Sequence, residues 1–392
     1  MISYKNAVKE ILSSCRPKTI TLPISKAINY IASKNVFSKR DNPSFDNSLL
    51  DGFAVKSTDV KKNKILVIVG KVSAGEKKKI KYKKNSCYQI ATGCSIQSPY
   101  DSMIPYEQVI IKNKKNIQVK VLIKKSQNIR KKNSDFKKNS LIFKKGTQIQ
   151  ASTLLAAKTL GISKIEVYSK PKIILFCSGD EISDNPSHIN KTINGISEYL
   201  ESFKNKYNYD FEYLGVVKDS KKDLKKVYNK IKKNKLKNTI FISTGGVSMG
   251  HKDFIPSALK KNKYKIIFHK MNMKPGRPTL FARKKDNFYF GLPGNPIATI
   301  VGFHFLIVPL IKKLQSKKIS WNTGVLSNSQ IKKSDMALLL RGKRKNRNIK
   351  ILPGQESYKI STLLKANCWV LLDQNNSFIK RGSKVKYISY EN

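Results

Sequence analysis

Acidic side chains are scarce in this chain: 25 Asp and Glu stand against 78 Lys and Arg, a formal net charge of +53. Carboxylates kept at strand ends are therefore informative. Cysteine is thin as well. The five (Cys15, Cys87, Cys94, Cys177, Cys368) are scattered and form no CxxC. That excludes a disulfide scaffold and a thiolate zinc site, and each reads as a small buried hydrophobe. The four histidines, His188, His251, His269 and His304, have no ligand spacing, and no Ser-His-Asp or Cys-His arrangement appears. Neither GxGxxG nor a Walker A loop occurs. No apolar run reaches the roughly 20 residues of a membrane helix. The longest, IVGFHFLIVPLI (300–311), is interrupted by His304, closed by Lys312 and Lys313, and reads as one buried helix. The first residues, MISYKNAVKEIL, lack a signal-peptide core, so a cytoplasmic protein without membrane association is expected.

The charge invites a nucleic-acid reading, because a basic face gains affinity by releasing counterions from phosphates. Here the lysines are spread along the whole chain in pairs and triplets rather than gathered in a patch. No RNP, KH, zinc-finger or basic-zipper pattern accompanies them. Specific nucleic-acid binding is therefore not expected, whereas steering of a small anionic substrate is.

What is present is a multidomain pattern of α/β and β character. Residues 1–16 read as an amphipathic helix and SKAINYIASK (25–34) as another. From 41 to about 137 short strand-like runs (KILVIVG, CYQIAT, QVIIK, IQVKVLI) alternate with turn residues, which predicts an inserted β domain. Residues 1–40 and 138–170, with an apolar helix in ASTLLAAKTLGI, are assigned to a linking domain. Residues 171–317 alternate strand and helix: KIILFCSGDE, ISEYLESFKNKY, FEYLGVVKD, DLKKVYNKIKKN, TIFISTGG, KIIFHKMNM, the hairpin-like TLFARKKDNFYFGLPG and a long helix from Ile297. That rhythm predicts a doubly wound sheet covered on both faces. Residues 318–392 return to short strands.

Several turns of the α/β segment follow the carboxyl end of a strand, the edge where open α/β sheets bind ligands. They are CSGDE (177–181), VVKD (216–219), STGGVS (243–248) and GLPGNP (291–296). Gly245-Gly246 reads either as a plain turn or as a seat for an oxyanion on bare backbone. Asp180, Glu181, Asp219 and Asp253 occupy these turns. Asp219 and Asp253 fit helix N-caps as well as ligands; together the acids suit Mg²⁺, which takes a few carboxylates plus phosphate oxygens. In KMNMKPGRP (270–278), Lys274 and Arg277 flank a Pro-Gly turn, placing a point charge and a planar fork where a tetrahedral dianion could be gripped.

The ordered set LLDGFAV (49–55), IATG (90–93), QNIRKKNSDF (127–136), SGDE (178–181), STGGVSMGHKDF (243–254), MKPGRP (273–278) and GLPGNP (291–296) resembles the molybdopterin molybdenumtransferase family, the molybdenum insertases called MoeA in bacteria and related to the E domain of gephyrin. The resemblance implies a linking domain, an inserted β domain, a central molybdopterin-binding α/β domain and a C-terminal β-barrel. It implies a homodimer whose site lies between the α/β domain of one subunit and the inserted domain of the other. It implies insertion of molybdate into adenylylated molybdopterin with release of AMP, a need for Mg²⁺, a molybdopterin adenylyltransferase upstream, and molybdoenzymes or their chaperones downstream. The same fold serves as a peptide-binding scaffold in gephyrin, which is the alternative reading.

Carried over residue by residue, Asp51 and Asp135 match acids supplied by the inserted domain, and Thr92 matches the threonine of the TG turn. Glu181, Asp219 and Asp253 match the acids of the α/β domain, with Glu181 and Asp253 expected to hold Mg²⁺. Lys274 and Arg277 match the cations associated with molybdate. Ser178, Gly179, Asp180, Thr244, Gly245, Gly246, Ser248, Pro293, Gly294, Asn295 and Pro296 complete the substrate-binding turns. Arg341 and Ser357 match an oxyanion-binding arginine and serine of the barrel. The chain departs from the pattern at Asn133-Ser134-Asp135, where a Gly and an acid are gone, at residues 190–194, where an acid is missing, and at Glu356, which stands for a glycine.

Overall fold

A computed structural model describes the chain except residues 77, 219, 221–222, 224, 226, 228–237, 247–254, 333–334, 373–377 and 391–392. It divides into two compact units: residues 1–20, 29–31 and 167–392, and residues 21–28 and 32–166.

The first unit is built on a six-stranded sheet in the order Asp210–Val217, Lys172–Ser178, Thr239–Thr244, Asn287–Leu292, Leu280–Lys284, Lys265–His269. The first four strands are parallel; the last two join antiparallel through the hairpin expected from the sequence. Both faces are covered. Ile173, Leu175, Ile240, Ile242, Phe288 and Phe290 enter one apolar core, and Ile174, Phe176, Phe241 and Tyr289 enter the other. A strand buried on both sides needs a continuous apolar run, which is what KIILF and TIFI supply. The predicted helix DLKKVYNKIKKN falls largely outside the described residues.

The N-terminal helix, Tyr4–Ser13, is capped by Ser3, whose Oγ accepts from the Asn6 amide at 3.2 Å. Its Tyr4, Ala7 and Ile11 are spaced to share one face, and they join the core of the first unit. The helix thus belongs with the α/β sheet, whereas the sequence reading grouped it with the linking segment. The second expected helix is not formed. Only Ile24–Lys26 makes a helical turn, because Asn29 turns left-handed (φ 67°) and ends any continuation. Its apolar residues Ile24, Ala27, Ile31 and Ala32 are buried all the same.

Residues 296–314 form one helix, wound as a π-helix over Phe303–Ile307. It is long and apolar enough to cross a membrane by length and composition, but 89% of its apolar window is buried inside the fold. A core helix is the reading that burial supports. His304 within it is 4% exposed, and its Nε2 lies 2.8 Å from the Tyr199 hydroxyl. Burial first, and the Lys206 charge second, push its pKa from the ordinary 6.5 down to about 3. The folded state keeps it neutral while the unfolded chain takes up a proton below its ordinary value, so stability falls as pH drops through that window. Between about pH 7.5 and about pH 5 this residue should remove roughly 2 kcal/mol. Denaturant titrations at both pH values should show that acid loss in the wild type and a clearly smaller one in His304→Phe.

KIIFHKMNM, expected as one strand, is two strands in two different sheets. Lys265–His269 ends at Lys270, whose φ is 73°, and Met271–Lys274 leaves for the C-terminal domain. There it pairs in parallel with Ala337–Lys345, placing Lys274 opposite Leu338. Ala337–Lys345, Asn348–Ile351, Asn322–Leu326, Lys384–Ser389 and Cys368–Leu372 close on themselves, since the first strand pairs with both the second and the last. That is the expected C-terminal β-barrel, filled by Leu326, Ile349, Cys368, Val370 and Leu372.

The second unit centres on a six-stranded sheet in the order Ser102–Pro105, Gly52–Val55, Ser86–Ile90, Ile65–Val72, Asn116–Val119, Val109–Asn113. Apolar clusters lie on its two sides, one around Phe53, Leu66 and Ile104 and the other around Ala54, Tyr88 and Met103. The expected apolar helix is present as Ala151–Thr159. All five cysteines are free and buried, as small hydrophobes.

Candidate active site

The first unit holds a cleft of about 1170 Å³ between the rim of the α/β sheet and the barrel. The strap Met271–Lys274 delivers Lys274 into it, because the strap is hydrogen-bonded to a barrel strand. The turn that follows is closed by three bonds. Met271 N–H donates to the Arg277 carbonyl at 2.8 Å, Lys270 N–H to the Thr279 carbonyl at 2.9 Å, and Thr279 Oγ1 to the Gly276 carbonyl at 2.7 Å. Gly276 has φ 108°, and a Cβ there would meet Met273 Cε at 2.6 Å, so only glycine fits. Lys274 and Arg277 are both exposed at this cleft. Among the described residues neither is in a salt bridge; Arg277 Nε lies 3.2 Å from the Met1 sulfur.

The barrel wall is the loop 352–357, and Ser357 lines the cleft as expected. Arg341 does not. It is 1% exposed, and its guanidinium is turned into the loop. Nη1 donates to the Lys359 carbonyl at 2.5 Å, Nη2 to the Gly354 and Glu356 carbonyls at 3.0 Å each, and Nε to Gln355 Oε1 at 3.5 Å. Gln355 closes the circuit by donating to the Arg341 carbonyl at 2.9 Å. With its donors already engaged by protein oxygens, Arg341 holds the loop rather than meeting an oxyanion, which corrects the role assigned to it from sequence. Glu356 pairs with Lys359 at 3.1 Å. The sequence reading also missed Lys350, an exposed cation of Asn348–Ile351 that lines the same cleft.

At the sheet rim the turns interlock through backbone. Gly245 has φ 82°, and a Cβ there would lie well inside van der Waals distance of the Ser178 carbonyl oxygen. A glycine is therefore required for the rim to close. The Gly245 amide donates to the Leu292 carbonyl at 3.0 Å, and the Gly179 amide to the Val217 carbonyl at 3.3 Å. The Gly245 amide is thus engaged within the rim, and of the Gly245-Gly246 turn only the Gly246 amide is left for the oxyanion reading. Gly294 lies against Gly245, with the site of its Cβ 3.6 Å from Gly245 Cα. Asn295 Oδ1 accepts from the Ile297 amide at 3.2 Å, capping the helix that Pro296 begins, while Pro293 and Asn295 also line the cleft. Ser178 and Thr244 are buried at their strand ends; Asp180 and Glu181 are exposed. The Glu181 carboxylate folds over Gly179, its oxygens 2.5 and 2.9 Å from where a Cβ there would be. Asp219, Ser248, His251 and Asp253 lie outside the described residues. Among the described residues no group of three or more His, Cys, Asp or Glu could hold a metal ion. The described carboxylates at the rim, Asp180 and Glu181, are exposed oxygen donors, a chemistry that fits Mg²⁺ once substrate phosphates join it.

Beside this rim is a polar cluster that the sequence reading did not find. Tyr213 hydroxyl donates to Asp184 Oδ1 at 2.8 Å. Asn194 Nδ2 lies within 3.0 Å of Asp184 Oδ1, Ser197 Oγ and the Tyr213 hydroxyl. Burial and then the neighbouring Cys177 and Asp184 push the Tyr213 hydroxyl far up, so it stays protonated and donates. Asp184 places a carboxylate against Asn194, the last residue of the 190–194 segment. The available signal was a tyrosine, Tyr213, between Glu212 and the apolar run LGVV of the strand FEYLGVV.

In the second unit, Asp51 Oδ1 accepts from Thr92 N–H at 2.6 Å and from Thr92 Oγ1 at 2.8 Å. Those two bonds, the amide first, hold the Asp51 carboxyl below the usual carboxylate range. Asp135 sits in a separate turn, where its Oδ2 accepts from Asn42 Nδ2 at 2.7 Å.

Models of known families match the chain in order along nearly its whole length. The MoeA N-terminal region (domain I and II) matches residues 2–161, the probable molybdopterin binding domain residues 174–313, and the MoeA C-terminal region (domain IV) residues 323–390. The chain belongs to the MoeA family. Among MoeA relatives, a molybdopterin molybdenumtransferase of Haemophilus influenzae is 28% identical over 380 residues, covering 94% of this chain and 93% of its own. One from Staphylococcus epidermidis is 25% identical over 405 residues, covering 100% and 96%. The crystal structure of the molybdopterin biosynthesis MoeA protein of Pyrococcus horikosii superposes with a TM-score of 0.78 at 23% identity, covering 100% of each chain, and has the same fold.

Proposed function

We propose that this chain is a molybdopterin molybdenumtransferase that takes adenylylated molybdopterin and molybdate, forms molybdenum cofactor and releases AMP. The observation that carries the reading is the cleft into which Lys274 and Arg277 project, free of salt bridges among the described residues. Two cations held on a closed turn stabilise a tetrahedral dianion at little reorganisation cost. In this reading Lys274 and Arg277 hold molybdate, and Ser357 donates to it from the barrel wall. Glu181 and Asp253 would hold Mg²⁺, which when bound neutralises phosphate charge and orients the displacement. In the same reading Asp180 and Glu181, exposed at the rim, serve the nucleotide end, and Asp219 and Asp253 are assigned to it from sequence alone. Asp51 and Thr92, a pre-formed acid–donor pair, are contributed to that end by a second copy of the chain. No covalent intermediate on the protein is required.

Lys274→Ala tests the oxyanion end. Losing one charge-assisted contact raises the molybdate concentration for half-maximal AMP release by about tenfold or more. An unchanged molybdate dependence removes Lys274 from the site.

A further inference from the structure

The barrel side of the cleft presents a charge that no motif of the sequence singles out. The arginine that the resemblance places there, Arg341, is inaccessible: its guanidinium donates to the Gly354, Glu356 and Lys359 carbonyls and to Gln355. The acid of the same wall, Glu356, is paired with Lys359. What remains on this wall as an exposed cation lining the cleft is Lys350, on the strand that runs directly into the loop bearing Ser357. Among the described residues the lining therefore carries Lys274 and Arg277 on one wall and Lys350 on the other, against a single carboxylate that is already paired.

We propose that Lys350 is a third anion-binding cation of this cleft. It supplies from the barrel the charge that Arg341, buried in loop architecture, does not deliver. A dianion held from one wall alone keeps half its surface unmatched; a point charge from the opposite wall closes the cage without demanding bidentate geometry. The division of labour follows from chemistry: the residue with five fixed donors organises four backbone and side-chain oxygens, and the residue with a mobile ammonium meets the ligand. The inference rests on the reading of the cleft as a molybdate site and names one more residue of that site.

A lysine-rich chain demands a control for charge alone, and the fold provides one. Lys343 lies directly opposite Lys350 in the barrel ladder, is exposed, and is not among the described residues that line the cleft. Equilibrium dialysis with molybdate, which needs no turnover, is run on the full chain, on Lys350→Gln, Lys350→Arg and Lys343→Gln, and on Lys274→Ala, alongside denaturation curves. Lys350→Gln should raise the half-saturating molybdate concentration about tenfold. Lys350→Arg should recover most of that loss, and Lys343→Gln, a neighbouring exposed charge that does not line the cleft, should stay within about twofold of wild type. Denaturation midpoints should not move. Equal effects of Lys350→Gln and Lys343→Gln overturn the inference, and if Lys274→Ala still weakens binding in that case, the wider reading stands without it. If neither Lys274→Ala nor Lys350→Gln alters binding, or the wild type binds no molybdate, the assignment of the cleft fails as well.

Discussion

Glu181→Ala and Asp51→Ala each abolish molybdate-dependent AMP release, by about 10³-fold or more, while the unfolding transition stays where it is in the wild type. The argument has two halves. Both carboxylates are exposed, so neither supports a core. Among the described residues Asp51 binds Thr92 groups that water can satisfy after its removal, and Glu181 lies over a glycine at the sheet rim. Removing either therefore costs little stability. On the proposed function, each also acts where developing or transferred charge must be managed. Asp51 is kept ionised below the usual carboxylate range by the Thr92 amide and hydroxyl, so its charge persists through the pH range in which the enzyme is assayed. AMP quantified by chromatography, with denaturant titrations in parallel, checks both halves. Wild-type release from either variant removes that residue from the reaction, and a shifted unfolding midpoint shows a structural role instead.

Arg341→Met has the opposite profile. It leaves the Gly354, Glu356 and Lys359 carbonyls and Gln355 Oε1 without their buried donor, and it removes the clamp on the loop that carries Ser357. Removing a charged donor from neutral acceptors in this way costs about 2–3 kcal/mol. Arg341→Lys recovers only part of that, because one ammonium cannot reach oxygens arranged around a planar fork. Molybdate affinity falls in step with loop disorder. Denaturant midpoints with dialysis decide the matter. A direct oxyanion ligand loses affinity at unchanged stability; the geometry here predicts a large stability loss for Met and an intermediate one for Lys.

The contrast between Arg341 and Lys274 shows what the sequence could and could not convey. That Lys274 and Arg277 would share one turn was legible, because a Pro-Gly pair stands between them, and the structure places both on the cleft. Arg341 matched by alignment alone, and alignment carries no information about which way a guanidinium points. The loop that receives it, 353–359, has no periodicity. The α/β core was legible for a firmer reason: strands buried on both faces write uninterrupted apolar runs such as KIILF and TIFI, and those runs formed the sheet. The missed features are breaks in the chain's direction. Asn29 and Lys270 at positive φ end a helix and split a strand, and no pattern of hydrophobicity marks either. The closure of the barrel was expected from the family resemblance alone, since no local pattern shows that Ala337–Lys345 pairs with Cys368–Leu372 as well as with the next strand. Asp184, Asn194 and Tyr213 converge from three separate elements, so no local motif announced them.

The most direct test of the central claim is AMP release by the purified full-length chain from adenylylated molybdopterin, measured with and without molybdate at fixed Mg²⁺. The account predicts release that depends on molybdate and saturates with it, with Lys274→Ala shifting the saturation to higher concentration. Release indifferent to molybdate, or none under any condition, contradicts it.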